Sequence, residues 1–314
     1  MSVWLAAFLF VMGVILVVKG GDWFVDAASW IARAAKVPPF IIGATIVSLA
    51  TTLPELIVSV MASIEGKNDM AVGNALGSVT ANTGLIMAVA FIFMNIVTPR
   101  RQYWRQCALL VLTSGILWLG CLRGIVQPWA CAALIVVFAA FMITNVRSAM
   151  REPQRAAVEA VNKTPGMIAK NVVLFVVGAA LIVIGSNLLI RGGSSLAEAL
   201  GVPERVVAVT MVAIGTSLPE LVTTITAIRK KESQLSIGNI IGANIIDLSL
   251  ILPICAMISG QSFTVSLQCL RLDFPVCFLI TLMALLPIVI KEKAYKIQGV
   301  LMLVCYGIYL IISV

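Results

Sequence analysis

The chain has no histidine. That absence removes imidazole proton relays, His-assisted nucleophiles and zinc sites of the HExxH type together. Cysteine does not fill the gap. Cys107, Cys121, Cys131, Cys255, Cys269, Cys277 and Cys305 are scattered through apolar segments with no CxxC pair. They read as small hydrophobes. Charge is scarce as well: 11% of residues are charged, against 61% hydrophobic. An intramembrane aspartyl protease needs two Asp in facing spans and a Gly-x-Gly-Asp signature. Here Asp247 is the only mid-span Asp, and the signature is missing. Enzyme chemistry is thereby excluded and no cofactor is expected. The net charge of +8 sits in loops between apolar runs. It reads as an orientation signal and not as a nucleic-acid surface. No obligate protein partner is expected either.

What is present is apolar length. A soluble domain could not hide so much hydrophobic surface, so most of it must face lipid. Ten stretches can cross a bilayer, near 3–19, 38–64, 69–96, 104–122, 127–147, 167–190, 203–228, 234–259, 269–290 and 296–313. The first lacks a basic leader and a cleavage site, so it reads as a retained span. The polar connection 148–166 divides the spans into five and five, giving units 1–147 and 167–314. Of 22 Lys and Arg, 17 fall in the odd-numbered loops and five in the even-numbered ones. The positive-inside rule then puts the odd loops in the cytoplasm and both termini outside. The expected location is a prokaryotic inner membrane.

The two units repeat each other at a constant offset of 165 residues. Gly13, Leu16, Val18 and Gly20 recur as Gly178, Leu181, Val183 and Gly185. Thr51-Thr52-Leu53-Pro54-Glu55-Leu56 recurs as Thr216-Ser217-Leu218-Pro219-Glu220-Leu221. Gly73-Asn74 and Gly77 recur as Gly238-Asn239 and Gly242. From 13 to 82 no gap is needed, and about 20 positions are identical. Chance matching of apolar segments gives Leu, Val and Ala identities. It does not align Pro, Glu and Gly-Asn in register. Five spans per unit is an odd number, so the second unit enters the membrane inverted. Such repeats are the architecture of secondary transporters, with sites at the midplane. The expected fold is an all-α integral membrane protein of ten transmembrane helices in two inverted-topology repeats.

Three acids fall well inside spans: Glu55, Glu220 and Asp247. A membrane-buried carboxylate costs at least a few kcal/mol and needs a partner. No Lys or Arg lies mid-span to supply one. The positive charge must come from something bound, which describes a cation site. Thr51 and Thr216 precede the two Glu by four residues, on the same helix face. Thr52 and Ser217 add hydroxyls. Pro54 and Pro219 lack an N–H and clash with the preceding turn, so each is expected to interrupt its helix and free carbonyls. Oxygen ligands select hard ions such as Ca²⁺, Na⁺ or Mg²⁺. The units are not equal at this level. Ser78 is matched by Ala243, and Asn82 by Asp247. A symmetric site would hold no extra charge or two; this one holds a single extra carboxylate.

Segments 43–90 and 208–255 resemble the two α-repeats of the calcium/cation antiporter superfamily. They are most similar to short prokaryotic sodium/calcium exchangers of the YrbG type. The resemblance implies Na⁺/Ca²⁺ exchange, with Ca²⁺ and Na⁺ as transported ions and the lipid bilayer as the surroundings. It implies a Ca²⁺ site bridged by Glu55 and Glu220, flanked by Thr51 and Thr216, with Asn82 and Asp247 as the third- and eighth-span pair. It further implies Na⁺ ligands matching Thr51, Ser78 and Ser48 on one side and Thr216, Ser217 and Ala213 on the other. Two departures stand out. Ala243 replaces a Ser common in the second repeat, and Val79-Thr80-Ala81 replaces an Asn-Ile-Phe-type run. Exchange of H⁺, or of another divalent such as Mg²⁺ or Mn²⁺, is the alternative. Proton exchangers of the superfamily more often carry an Asn-Ala-Thr-Glu-type motif with nearby His, and this chain has neither.

Overall fold

The computed structural model describes residues 2–94, 96, 100–151, 164–201, 215, 217–259 and 263–313. Among these, secondary structure is helical apart from isolated bridge residues, such as the pair Ile125 and Thr264. The helices are α1 (Val3–Ala35), α2 (Pro39–Thr51), α3 (Leu53–Ile64), α4 (Asn68–Phe93), α5 (Arg100–Cys121) and α6 (Pro128–Arg151). They continue as α7 (Pro165–Ala199), α8 (Leu218–Lys230), α9 (Ser233–Ser259), α10 (Cys269–Lys291) and α11 (Lys296–Ser313). Eight are long and apolar enough to cross a membrane, and α2 with α3 makes a ninth if the pair counts as one bent span. The seventh expected span, 203–228, is described only from its later half, as α8. Its residues 203–214 lie outside the described residues.

Two boundaries differ from the sequence reading. Helix α1 has 33 residues and α7 has 35, although the apolar runs suggested spans ending near 19 and 190. The runs end where charge begins, but the helices do not. Asp22 and Asp26 continue α1 because Lys230 and Arg229 on α8 stand opposite them. A charged turn with a partner remains a good helix.

Helices α1 and α7 pack antiparallel along most of their length through glycines. A Cβ at Gly13 would lie 2.6 Å from the Leu189 nitrogen, and one at Gly20 2.9 Å from the Gly178 carbonyl. Gly185 meets Val17, and a Cβ at Gly192 would lie 2.6 Å from the Phe10 nitrogen. Apolar side chains gain little by leaving lipid for protein, so close backbone approach is what holds membrane helices together. The same device joins the two units near the centre. Gly43 on α2 abuts the Leu235 carbonyl, and Gly238 on α9 abuts the Phe40 carbonyl.

Equivalent turns share a backbone conformation across the 165-residue offset. Lys36 (φ 56°) matches Gly201 (φ 80°), and Gly66 (φ 73°) matches Lys231 (φ 60°). Each closes a helical span in the left-handed region, where a side chain costs about 1 kcal/mol and Gly costs nothing.

Two substitutions should therefore shift thermal unfolding in opposite directions. Gly192→Ala drives a methyl into the Phe10 backbone and should destabilise by about 1–3 kcal/mol. Lys231→Gly relieves a left-handed side chain and should stabilise by up to about 1 kcal/mol. Unfolding midpoints of the detergent-purified protein check both.

Candidate cation site

The interrupted helix comes first. Residues 43–47 form a π-helical turn, and Thr52 (φ −84°, ψ −1°) separates α2 from α3, with a 46° bend. The break falls where Pro54 would need a donor it lacks. Thr52 then bonds back: its N–H and its Oγ1 both donate to the Ser48 carbonyl, at 2.9 and 2.6 Å. Beyond the break, Leu53 and Pro54 open a new helix and place Glu55 in its first turn. In the second unit the described residues show the part beyond the break. Ser217 (φ −83°, ψ 6°) precedes α8, and Glu220 lies in that first turn. Helix N-termini carry partial positive charge and free N–H groups, which favour a carboxylate by roughly 0.3–1 kcal/mol.

That is too little for what burial costs. Glu55, Glu220 and Asp247 are all buried. Among the described residues, none of their six carboxylate oxygens has a hydrogen bond of normal geometry. Glu55 is close enough to feel both Glu220 and Asp247 electrostatically, and Asp247 feels Glu220. Ion pairs among the described residues, such as Lys230–Asp26 and Lys67–Glu65, use other acids. Like charges brought together out of water require a cation, or protons in its place.

The oxygens around the acids are neutral. Thr51 and Thr52 face the Glu220 carboxylate from across the interface between units. Thr51 Oγ1 donates to Asn239 Oδ1 at 3.2 Å. Asn74 Nδ2 donates to Ser59 Oγ at 2.9 Å and to the Glu55 carbonyl at 3.3 Å, which ties α4 to the first turn of α3. Ser48 is buried and donates to the Thr45 carbonyl. Ser78 is buried on α4. Ser217 Oγ makes no hydrogen bond among the described residues. Ala213 and Thr216 lie outside the described residues. Among the described residues, no three His, Cys, Asp or Glu side chains converge closely enough to hold a metal ion. A bound ion would thus complete its shell with hydroxyl, amide or carbonyl oxygens.

Asn82 and Asp247 occupy equivalent positions, and each opens a π-helical turn, Asn82–Met87 and Asp247–Ile251. A π turn widens the ring and redirects its side chains, and such turns recur at functional sites. Sequence periodicity did not show them, because a π turn inserts one residue without changing composition. Asn82 was expected opposite Asp247. Its observed partner is Asn244: Asn82 Nδ2 donates to Asn244 Oδ1 at 3.1 Å, and Asn244 Nδ2 donates to Thr83 Oγ1 at 2.8 Å. This network was missed because Asn244 has no polar counterpart; the equivalent residue is Val79. Asn74 and Asn239 did leave a signal, as amides repeated at the offset inside apolar spans.

A cavity of about 220 Å³ reaches the site. Pro54, Val58, Asn74, Ser186, Gly215 and Pro219 are among the residues that line it. It therefore touches the residues immediately before both glutamates.

Known proteins share the family and the fold of this chain. The family described as "Sodium/calcium exchanger protein" matches residues 5–147 and 170–314. The Inner membrane protein YrbG of Escherichia coli is 35% identical over 265 residues, covering 81% of this chain and 80% of its own. The Sodium/calcium exchanger MaX1 of Methanosarcina acetivorans is 28% identical, covering 97% of each chain. A solved structure of the sodium-calcium exchanger NCX_Mj superposes with a TM-score of 0.84 at 27% identity, over 98% of each chain.

Replacing a buried, unpaired carboxylate by its neutral isostere separates folding from binding. Glu55→Gln and Glu220→Gln should each make the ion-free protein more stable, by about 1 kcal/mol or more. Added Ca²⁺ should raise the unfolding midpoint of the parent protein and leave both variants unmoved. Melting with and without Ca²⁺ checks this.

Proposed function

The chain belongs to the sodium/calcium exchanger family and is a membrane antiporter, not an enzyme; from that premise we propose that it exchanges Na⁺ for Ca²⁺ by alternating access. One observation carries the reading: six buried carboxylate oxygens without a hydrogen bond among the described residues. In this reading Glu55 and Glu220 bridge the Ca²⁺, with Thr51 and Thr216 beside them. Na⁺ takes hydroxyls and carbonyls from Ser48, Thr51 and Ser78 on one side, and from Ala213, Thr216 and Ser217 on the other. The same carboxylates serve both loads, so the ions exclude each other. Together Glu55, Glu220 and Asp247 hold more negative charge than one divalent cation cancels. One Ca²⁺ leaves about −1 at the site whereas three Na⁺ neutralise it, so the two loaded forms differ in net charge and exchange is electrogenic. The Asn82–Asn244–Thr83 network positions the Asp247 turn from the opposite unit. No cofactor and no obligate protein partner enter the cycle.

The architecture that goes with this function is ten spans in two inverted repeats, 1–147 and 167–314, joined by 148–166. The antiparallel packing of α1 and α7, which occupy equivalent places in the repeat, supports that arrangement. So do the matched left-handed turns. The charge distribution supports odd loops in the cytoplasm and both termini outside.

The reading is tested in vesicles reconstituted with the purified chain. An outward Na⁺ gradient should drive ⁴⁵Ca²⁺ uptake, with Glu55→Gln and Glu220→Gln reducing it at least 100-fold. Uptake that ignores Na⁺ and follows a pH gradient would transfer the counter-ion role to H⁺. An imposed membrane potential should alter the rate, and Asp247→Asn should change that voltage dependence.

A further inference from the structure

The two faces of the molecule are not in the same state. On the face bearing the Lys- and Arg-rich loops, α1 and α8 are tied together. Lys230 Nζ lies 2.7 Å from Asp26 and 3.6 Å from Asp22, and Arg229 lies 3.8 Å from Asp22. Arg33 lies 3.6 Å from Glu232. Packing beneath these charges is tight: a Cβ at Gly21 would lie 2.7 Å from Thr226 Oγ1.

The 165-residue offset carries each of these groups to the opposite face. Gly21 becomes Ser186, whose buried hydroxyl has no partner among the described residues and which lines the 220 Å³ cavity between α3 and α7. The contact closed at one face is thus open at the other. Four of the six charges are carried over as well, with their signs reversed, while Asp22 becomes Asn187 and Arg229 becomes Ile64. Asp26 becomes Arg191, and Lys230 becomes Glu65. Arg33 becomes Glu198, and Glu232 becomes Lys67. Two opposite-charge pairs map onto two opposite-charge pairs, although not one residue type is retained. Glu65 is bound instead to its neighbour Lys67, at 2.7 Å.

We propose that six of these residues form two mutually exclusive latches. Asp26–Lys230 and Arg33–Glu232 hold the basic face shut; Glu65–Arg191 holds the other shut when the cavity closes. Among the described residues the first latch is made, and Glu65 pairs with Lys67 in place of Arg191. Their use rests on the exchange reading above; their existence does not.

Magnitude suits the role. The pairs are partly exposed, with side chains of Lys230 and Asp26 at 25% and 63%. Such pairs bias a population by roughly 1.5- to 5-fold each. A carrier must visit both states, so each latch must favour one without trapping it. Reversed signs also keep the latches apart: Lys230 cannot be replaced by its repeat counterpart without repelling Asp26.

The test reads cavity access directly. Val58→Cys, in the cavity wall, is reacted with a water-soluble maleimide in the full-length purified protein, with the chain lacking that substitution as blank. Lys230→Glu should break the made latch, close the cavity more often and slow labelling several-fold. Asp26→Lys combined with Lys230→Asp should restore the rate. Glu65→Lys should do the opposite of Lys230→Glu and leave labelling as fast or faster. Unfolding midpoints confirm folding, and Lys230→Gln substitutes if the reversal does not fold. Labelling within twofold of the parent in the reversal and the swap overturns the proposal, as does a swap that fails to restore. Because labelling needs no ion gradient, a chain that latches but fails Na⁺-driven Ca²⁺ uptake would refute the exchange reading alone.

Discussion

A carboxylate taken out of water loses hydration that only an opposite charge or several hydrogen bonds can replace. Among the described residues, Glu55, Glu220 and Asp247 receive neither in full; their oxygens are buried and without a hydrogen bond of normal geometry. The surrounding fold is arranged around that deficit. Helices end beside the acids, so that N-terminal dipoles lower part of the cost. Hydroxyls and amides stand close without saturating the carboxylates. Cations at the helix ends are held by other acids. A site that the chain could neutralise by itself would have no need of an ion.

Close packing makes the deficit tolerable. The α2–α9 crossing is backbone on backbone, through Gly43 and Gly238. That approach brings Thr51 within hydrogen-bond reach of Asn239 from the other unit. The hydrogen bond and the glycines are thus one feature. Without Gly at those positions, the helices separate by a side-chain diameter and the oxygen ring opens.

Much of this was legible before any coordinates. Glu55 and Glu220 were marked by duplication, mid-span charge and an adjacent Pro, and both are buried in the first turn of a helix. The helix interruption before Pro54 followed from the missing donor. Other features left no trace. The π-helical turns at Asn82 and Asp247 change ring size, not residue type. The Asn82–Asn244 bond joins residues that are not equivalent in the repeat, so no offset reveals it. The overlong α1 and α7 were cut short because hydropathy ends where charge starts. The partners of Asp22 and Asp26 are some 200 residues away along the chain.

The unequal third and eighth spans carry a consequence for how such a chain can change over generations. Suppose the second half were overwritten by a copy of the first. Position 244 would become Val and position 247 Asn. Asn82 would lose its acceptor, and the site would lose a charge. The reverse copying would write Asp at 82, crowding a fourth acid into a space that already lacks counter-charge. Each half has become the other's complement, and the duplication that made the fold can no longer be repeated within it.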